Sequence, residues 1–434
     1  MTKETAIKSV SLLWFGGLMT ALLGFVSQVI LARSLDVESY GLLSSVLSMV
    51  NIAAPLALFG TTSYLLKIIG SKGYNSQSWV EGSFRLVTLN QMVIYSLLLV
   101  WAFFGPHDAE TRMTITILGV CFIGVSALEF CSTRFQVEER YGMLFLSQIM
   151  QPTLRCCIVI ALLISGSQSI QYVSVTYAFA SLLCFLYAFY HIIKWLKGDI
   201  SLKGHERKIF KLKNEKSVSL LEVLLKCAPF ALSGIFYLLW SQSHLILIKY
   251  FLTDKYAGYF GVSILIVNTI SMAPMILYNK YLLPKMHRWV HKNTEKLATT
   301  YRKGNAFMFL LGIVCGFLLF NLSEPFVILV FGHEYLYSIY LLKVFSFLLP
   351  IRFVGYNTGA ILMLNNNIQF KLKTMAFVSF LNVILNAALL KEYGVLVAVY
   401  SIIISELCLV IGYYYYSSVF FRRIDKGNEN EPLY

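Results

Sequence analysis

Val93-Ile-Tyr-Ser-Leu-Leu-Leu-Val-Trp-Ala-Phe-Phe104 carries no charge over twelve residues. Extended back to Phe84 it reaches the about 20 residues an α-helix needs to cross the hydrocarbon of a bilayer. A membrane barrel strand would instead alternate apolar and polar positions over about ten residues, and this run does not alternate. The whole chain repeats the pattern. Of its 434 residues 57% are hydrophobic and 13% charged, and its mean hydropathy is +0.68, whereas a soluble domain carries about 25% charged residues. A soluble globular protein is therefore excluded, and a polytopic α-helical membrane protein is predicted.

Apolar runs bounded by charges or turn residues predict twelve spans: 11–32, 41–65, 84–104, 113–133, 143–164, 170–193, 220–247, 258–283, 304–322, 338–363, 374–390 and 395–418. The first run follows Lys3 and Lys8, is long, and lacks a small-x-small cleavage signature, so it reads as a retained helix. With the N-terminus placed in the cytoplasm, only Arg33, Arg112, Lys249, Lys255 and Lys391 fall outside, and Arg155, Lys226, Lys343 and Arg352 fall within spans. The other 27 of the 36 Lys and Arg residues lie on the cytoplasmic side. The net charge of +14 is thus a topology signal and needs no nucleic-acid partner.

The halves resemble each other. Gln28-Val-Ile-Leu-Ala-Arg33 matches His244-Leu-Ile-Leu-Ile-Lys249, each leading through an acidic turn to Tyr40-Gly41 and Tyr256-Ala257-Gly258, and Ala54-Pro55 matches Ala273-Pro274. A duplicated six-helix unit gives a pseudo-two-fold axis along the membrane normal, with a substrate path between halves, as in transporters. The predicted organisation is an N-terminal lobe over 1–194, a basic cytoplasmic linker over 195–219 lying on the anionic inner surface, a C-terminal lobe over 220–420 and a cytoplasmic tail over 421–434.

Polar side chains recur at helical spacing inside the spans. They include Ser44, Ser48, Asn51 and Pro55; Gln148, Gln151 and Arg155; and Ser379, Asn382 and Asn386. Interhelical hydrogen bonding accounts for part of this pattern. A Lys or Arg at mid-membrane costs about 2.5 to 3.5 kcal/mol even on an insertion scale, so Arg155, Lys226, Lys343 and Arg352, with the acids Glu129 and Glu406, are expected to line a wet cavity or pair across it. Lys226 and Lys343 lie near span ends and can snorkel. The basic surplus points to an anionic cargo, since guanidinium groups bind phosphate in bidentate fashion; the amides and hydroxyls suit sugars. Gly312 and Gly316 have the spacing of close helix packing, and Tyr413 to Tyr416 reads as an interfacial aromatic anchor.

Catalytic motifs are absent from the sequence. There is no Gly-Lys dipeptide and hence no P-loop, no GxSxG, no GxGxxG and no DxD pair, and His333-Glu334 lacks the second His of a zinc protease. The eight cysteines all fall inside apolar runs without metal-ligand spacing. A transporter without cofactors or metal is expected, and not an enzyme.

Several short motifs then occur in order: Ala32-Arg33-Ser-Leu-Asp36 with Tyr40-Gly41, Gly258-Tyr259-Phe260, Leu283-Pro284, Phe331-Gly332-His-Glu-Tyr335, and Asn382-x-x-x-Asn386 before Tyr393-Gly394-Val395. Together they resemble the O-antigen and polysaccharide flippases (Wzx type) of the multidrug/oligosaccharidyl-lipid/polysaccharide (MOP) exporter superfamily, over nearly the whole chain. The resemblance implies a MATE-like all-α carrier with two six-helix lobes in the bacterial inner membrane, both termini cytoplasmic. It would flip an undecaprenyl-diphosphate-linked oligosaccharide outward by alternating access, alongside a polymerase and chain-length machinery. On that basis Arg155, Arg352, Arg33, Arg85 and Lys226 are expected to hold the diphosphate and Asn51, Gln148, Gln151 and Asn382 the sugars, with Glu129 or Glu406 available for ion coupling. Two alternatives remain: a cation-coupled multidrug antiporter of the same superfamily, and a membrane glycosyltransferase or polymerase.

Overall fold

In a computed structural model the described residues are 3–166, 169–202, 218–364 and 368–425, and among them every regular element is helical. Among the described residues nine helical segments are long and apolar enough to cross a membrane, or eleven when each of two bent runs, Leu220–Phe251 and His333–Ile361, is one span. One of the nine, Val37–Phe104, is 68 residues long. That exceeds three times the about 20 residues a span requires, so it accommodates both spans predicted within 41–104. The membrane-spanning, all-α class is that expected from the sequence.

Contacts divide the chain into two compact units, one of residues Met1–Asp36 and Leu42–Leu238, the other of Val37–Gly41 and Leu239–Tyr434. The first unit contains α1 (Lys3–Ser34), most of α2 (Val37–Leu58), α3 (Thr61–Lys72), α4 (Gln77–Phe104), α5 (Ala109–Gly119), α6 (Cys121–Val137), α7 (Tyr141–Ser165), α8 (Ile170–Leu196) and the first part of α9 (Leu220–Phe251). Local chemistry sets its breaks. The predicted span 41–65 does not run through as one helix, because Phe59 and Gly60 take left-handed φ of 44° and 71°. Gly60 is required there, since a Cβ would lie 2.6 Å from the Ala231 backbone N of α9. The helix restarts where Thr61 Oγ1 donates to the Leu58 carbonyl at 2.7 Å. Asp108 caps α5 by accepting from the Thr111 N–H at 3.1 Å.

The core of this unit joins Tyr64, Trp79, Phe130, Phe135 and Trp195 with Val223 and Cys227 of α9. The division between units therefore falls inside α9, at Leu238/Leu239, whereas the sequence placed the boundary at the 195–219 linker. Beneath this core a guanidinium clasp ties down the segment after α8. Arg134 pairs with Glu138 at 3.2 Å and donates to the carbonyls of His191, at 2.6 Å, and Asp199. Glu138 in turn accepts from the Ser201 N–H, and Gln77 donates to the Trp195 carbonyl. Linker residues 203–217 and tail residues 426–434 lie outside the described residues, although α16 (Leu396–Asp425) carries the helix five residues into the predicted tail.

The second unit contains α10 (Asp254–Ile276), a π-helical turn (Leu277–Leu282), α11 (Leu283–Lys292), α12 (Thr294–Val330), α13 (Leu336–Phe345), α14 (Leu348–Ile361), α15 (Ile368–Tyr393) and α16. The predicted span 338–363 is two helices, α13 and α14, bent by 55°. Gly312 and Gly316 bring α12 onto α14, as their spacing predicted: a Cβ at Gly312 would lie 2.5 Å from Pro350 Cα, and one at Gly316 2.6 Å from the Ser346 carbonyl oxygen. The start of α2 crosses the start of α10 with similar intimacy. A Cβ on Gly41 would meet the Asp254 carbonyl and the Gly258 N, and one on Gly258 would meet the Val37 carbonyl. Of the tyrosines expected as an interfacial anchor, Tyr414 and Tyr415 are exposed, whereas Tyr413 and Tyr416 are buried.

Candidate functional site

A polar cavity of about 410 Å³ opens in the first unit among α3, α6 and α7. On α6 it is lined by Glu129, Ser132, Thr133 and Gln136, and on α7 by Leu144, Ser147, Gln148 and Gln151. Both sets follow the i, i+3, i+4, i+7 spacing that returns to one helix face. Thr62 and Ser63 of α3 close the third side. The two main walls are joined where the Ser132 and Ser147 hydroxyls meet at 2.8 Å, and Thr133 Oγ1 returns to the Glu129 carbonyl at 3.1 Å. Gln151 Nε2 is buried without a hydrogen-bond partner among the described residues. Such a donor is left to a ligand or water, since a buried unsatisfied polar group costs about 1 to 3 kcal/mol.

Glu129 is the only ionisable group in this lining, and neither Lys nor Arg contributes to it. Its neighbours offer hydroxyls and primary amides, each of which can both donate and accept. The cavity is thus hydrogen-bonding and weakly anionic. It spans the C-terminal part of α6, which also carries Arg134, and the N-terminal half of α7, which begins just after Arg140.

Three residues named from the sequence meet in this cavity: Gln148, Gln151 and Glu129. The structure does not gather the five basic residues into one site within either unit. Arg155 follows Gln151 by one helical turn, yet its guanidinium sits 4.9 Å over the Tyr177 ring of α8. Arg33, Arg85 and Lys226 are exposed on α1, α4 and α9 respectively. Arg352 is buried in the second unit, where Nε donates to Glu406 at 2.6 Å and Nη1 to Asn268 at 3.1 Å. Arg352 and Glu406, expected separately as a phosphate ligand and a coupling acid, are therefore one ion pair, in which each charge compensates the other.

Asn51 is exposed on α2. Asn382 lies fully buried, donating to Ser405 at 3.1 Å, while Asn386 donates to Ser401 at 2.7 Å and to the Asn382 carbonyl at 2.7 Å. That network joins α15 to α16, so Asn382 serves helix packing in this structure. Ser132, Gln136, Ser147, Thr62 and Ser63 were not singled out in the sequence. The first two were findable, because counting three and seven residues on from Glu129 reaches them.

The sequence profile of a family described as "Polysaccharide biosynthesis protein" matches residues 6–287. Stage V sporulation protein B of Bacillus subtilis is 25% identical over 170 residues, covering 37% of this chain; the match spans 32% of that relative's own length. Among solved structures, a multidrug resistance MATE family transporter of the MOP superfamily, inward-facing, superposes with a TM-score of 0.71 at 16% identity, covering 94% of this chain and 96% of that one. The lipid II flippase MurJ, in an inward closed conformation, superposes with a TM-score of 0.72 at 13% identity, covering 95% and 90%. These structural likenesses establish the shared fold.

Proposed function

From the premise that the chain belongs to the polysaccharide biosynthesis protein family, its profile covering well over half of the sequence, we propose that it is a flippase for a polyprenyl-diphosphate-linked oligosaccharide. The observation that carries the proposal beyond family membership is the cavity of α3, α6 and α7: amides and hydroxyls on three helices match the alternating donors and acceptors of a sugar. The fold shared with MurJ and a MATE transporter supports a carrier rather than an enzyme.

In this proposal the protein sits in a bacterial inner membrane with both termini in the cytoplasm, and the cavity opens toward the leaflet where the cargo is made. The glycan enters the cavity against Gln148 and Gln151 while the polyprenyl tail stays in lipid. The diphosphate needs compensation within hydrocarbon, because an unpaired buried charge is prohibitive. In the first unit Arg155, Arg33, Arg85 and Lys226 supply it; in the second, Arg352 can bind phosphate on exchanging Glu406 for it. Outward movement of an anion gains about 2.3 kcal/mol per charge per 100 mV when the cytoplasm is negative. The cargo is a repeat unit of O-antigen or a related surface polysaccharide, handed on to a polymerase and its chain-length partners.

The decisive experiment reconstitutes the purified protein in liposomes containing a fluorescent polyprenyl-diphosphate oligosaccharide and reads its transfer between leaflets with and without a potential. Protein-dependent transfer, lowered at least tenfold by Arg155→Ala, is expected. Absence of transfer across several glycans overturns the proposal. The unpaired position of Glu129 in a cavity without a base favours a second reading, cation-coupled drug export, for which efflux of a cationic dye is the corresponding signature.

A further inference from the structure

The walls of the polar cavity fix more than the general class of cargo. Its lining contains one carboxylate, three primary amides (Gln136, Gln148 and Gln151) and no base. A glycan carrying a uronic or other acidic sugar would bring a second carboxylate beside Glu129, whose side chain is exposed to the cavity, with no basic residue in the lining to receive it. Like charges within a few ångströms repel, and the repulsion disfavours bringing the second carboxylate in. A neutral sugar meets no such penalty, and a free amino sugar would gain an ion pair with Glu129. Amides and hydroxyls alone are indifferent to charge, so the discrimination rests on Glu129.

From this we propose that the cavity of α3, α6 and α7 is a charge filter that admits neutral or amino-sugar repeat units and rejects acidic ones, with Glu129 as the specificity-determining residue. The proposal rests on the flippase reading given above. It assigns the basic residues to the diphosphate and the acidic cavity to the sugars, so the charged head and the glycan of the cargo are read by surfaces of opposite sign. Ser132 and Ser147, held to each other, keep α6 and α7 in register and set Glu129 opposite the amides of α7.

The test uses the full-length protein in liposomes with three polyprenyl-diphosphate disaccharides of equal size, one neutral, one bearing a free amine and one bearing a uronate. The wild type is expected to move the neutral and amino forms at least tenfold faster than the uronate. Glu129→Gln should bring the three rates to within about threefold of each other, and Glu129→Lys should reverse the order. Gln148→Glu, which keeps Glu129 and adds a second carboxylate, should deepen the bias against uronate and serves if the Glu129 variants fail to reach the membrane. Equal wild-type rates for neutral and uronate substrates overturn the proposal. So does a loss of all three rates in the same proportion in Glu129→Gln, which would make Glu129 an ion-coupling group. Transfer of none of the three by wild-type protein rejects the flippase reading itself and is distinct from either result.

Discussion

Removing one partner of the Arg352–Glu406 pair should destabilise the protein far more than removing both. Their side chains retain only 9% and 5% exposure, so solvent screens the pair little. At an effective dielectric of about 20, opposite charges about 4 Å apart attract by about 4 kcal/mol, and the Nε to Oε1 distance here is 2.6 Å. Glu406→Gln leaves a buried guanidinium without the carboxylate that pairs with it, at a cost of about 3 to 5 kcal/mol. The double variant Arg352→Met, Glu406→Leu removes both desolvated charges and should return to within about 2 kcal/mol of the wild type. Unfolding in mixed micelles titrated with dodecyl sulphate, followed by tryptophan fluorescence, measures wild type, Arg352→Met, Glu406→Leu and the double variant as the four corners of the cycle, with Glu406→Gln alongside. Additive single-variant costs, or a Glu406→Gln cost below about 1 kcal/mol, would refute the idea that each charge is there to compensate the other.

Two more outcomes follow from the packing. Gly41→Val places a side chain against the Asp254 carbonyl and Gly258 N, backbone atoms that have no rotamer to yield; overpacking of this kind costs about 3 kcal/mol or more. The monodisperse fraction on size exclusion should fall below about a tenth of wild type, and a normal profile would show that the crossing has slack. Arg134→Met leaves Glu138 to the exposed Arg140, at 3.4 Å, and releases the His191 and Asp199 carbonyls, costing about 1 to 3 kcal/mol. Limited proteolysis within 197–202 should accelerate at least fivefold, and an unchanged cleavage rate would show that other contacts hold that segment.

The membrane-spanning class was legible because hydrocarbon demands continuous apolar runs, and the spans can be read from those runs without knowledge of contacts. The break after Leu58 was not legible. Phe59 gives no local sign of a left-handed backbone, and the need for Gly60 arises from Ala231, far along the chain. At the site, the stripe of Gln148 and Gln151 was visible from helical spacing, and the wall opposite was marked only by Glu129. The same spacing misdirected Arg155. A side chain that long reaches a neighbouring helix, and the ring of Tyr177 drew it off the stripe. In the sequence Arg134 counts only toward the cytoplasmic excess of basic residues, although its separation of four residues from Glu138 suits a helical pair. Burial, which turns such a pair into a clasp, is a property of the fold that surrounds it.

The seating of the first part of α9 bears on how this chain can be cut and recombined. Val223 and Cys227 are fully buried in the core of the first unit, and Gly60 and Gly82 have shed their side chains where α9 passes. A fragment ending in the linker would expose an empty apolar channel, and the complementary fragment would begin with a helix lacking its socket. Co-expressed as separate polypeptides, the two pieces would be driven to find each other, with α9 as the tenon. Chimaeras joined at the linker would carry a foreign tenon into a native socket and lose that fit. Hybrids that retain it have their junction after Leu238, beyond the length of helix that the first half has claimed.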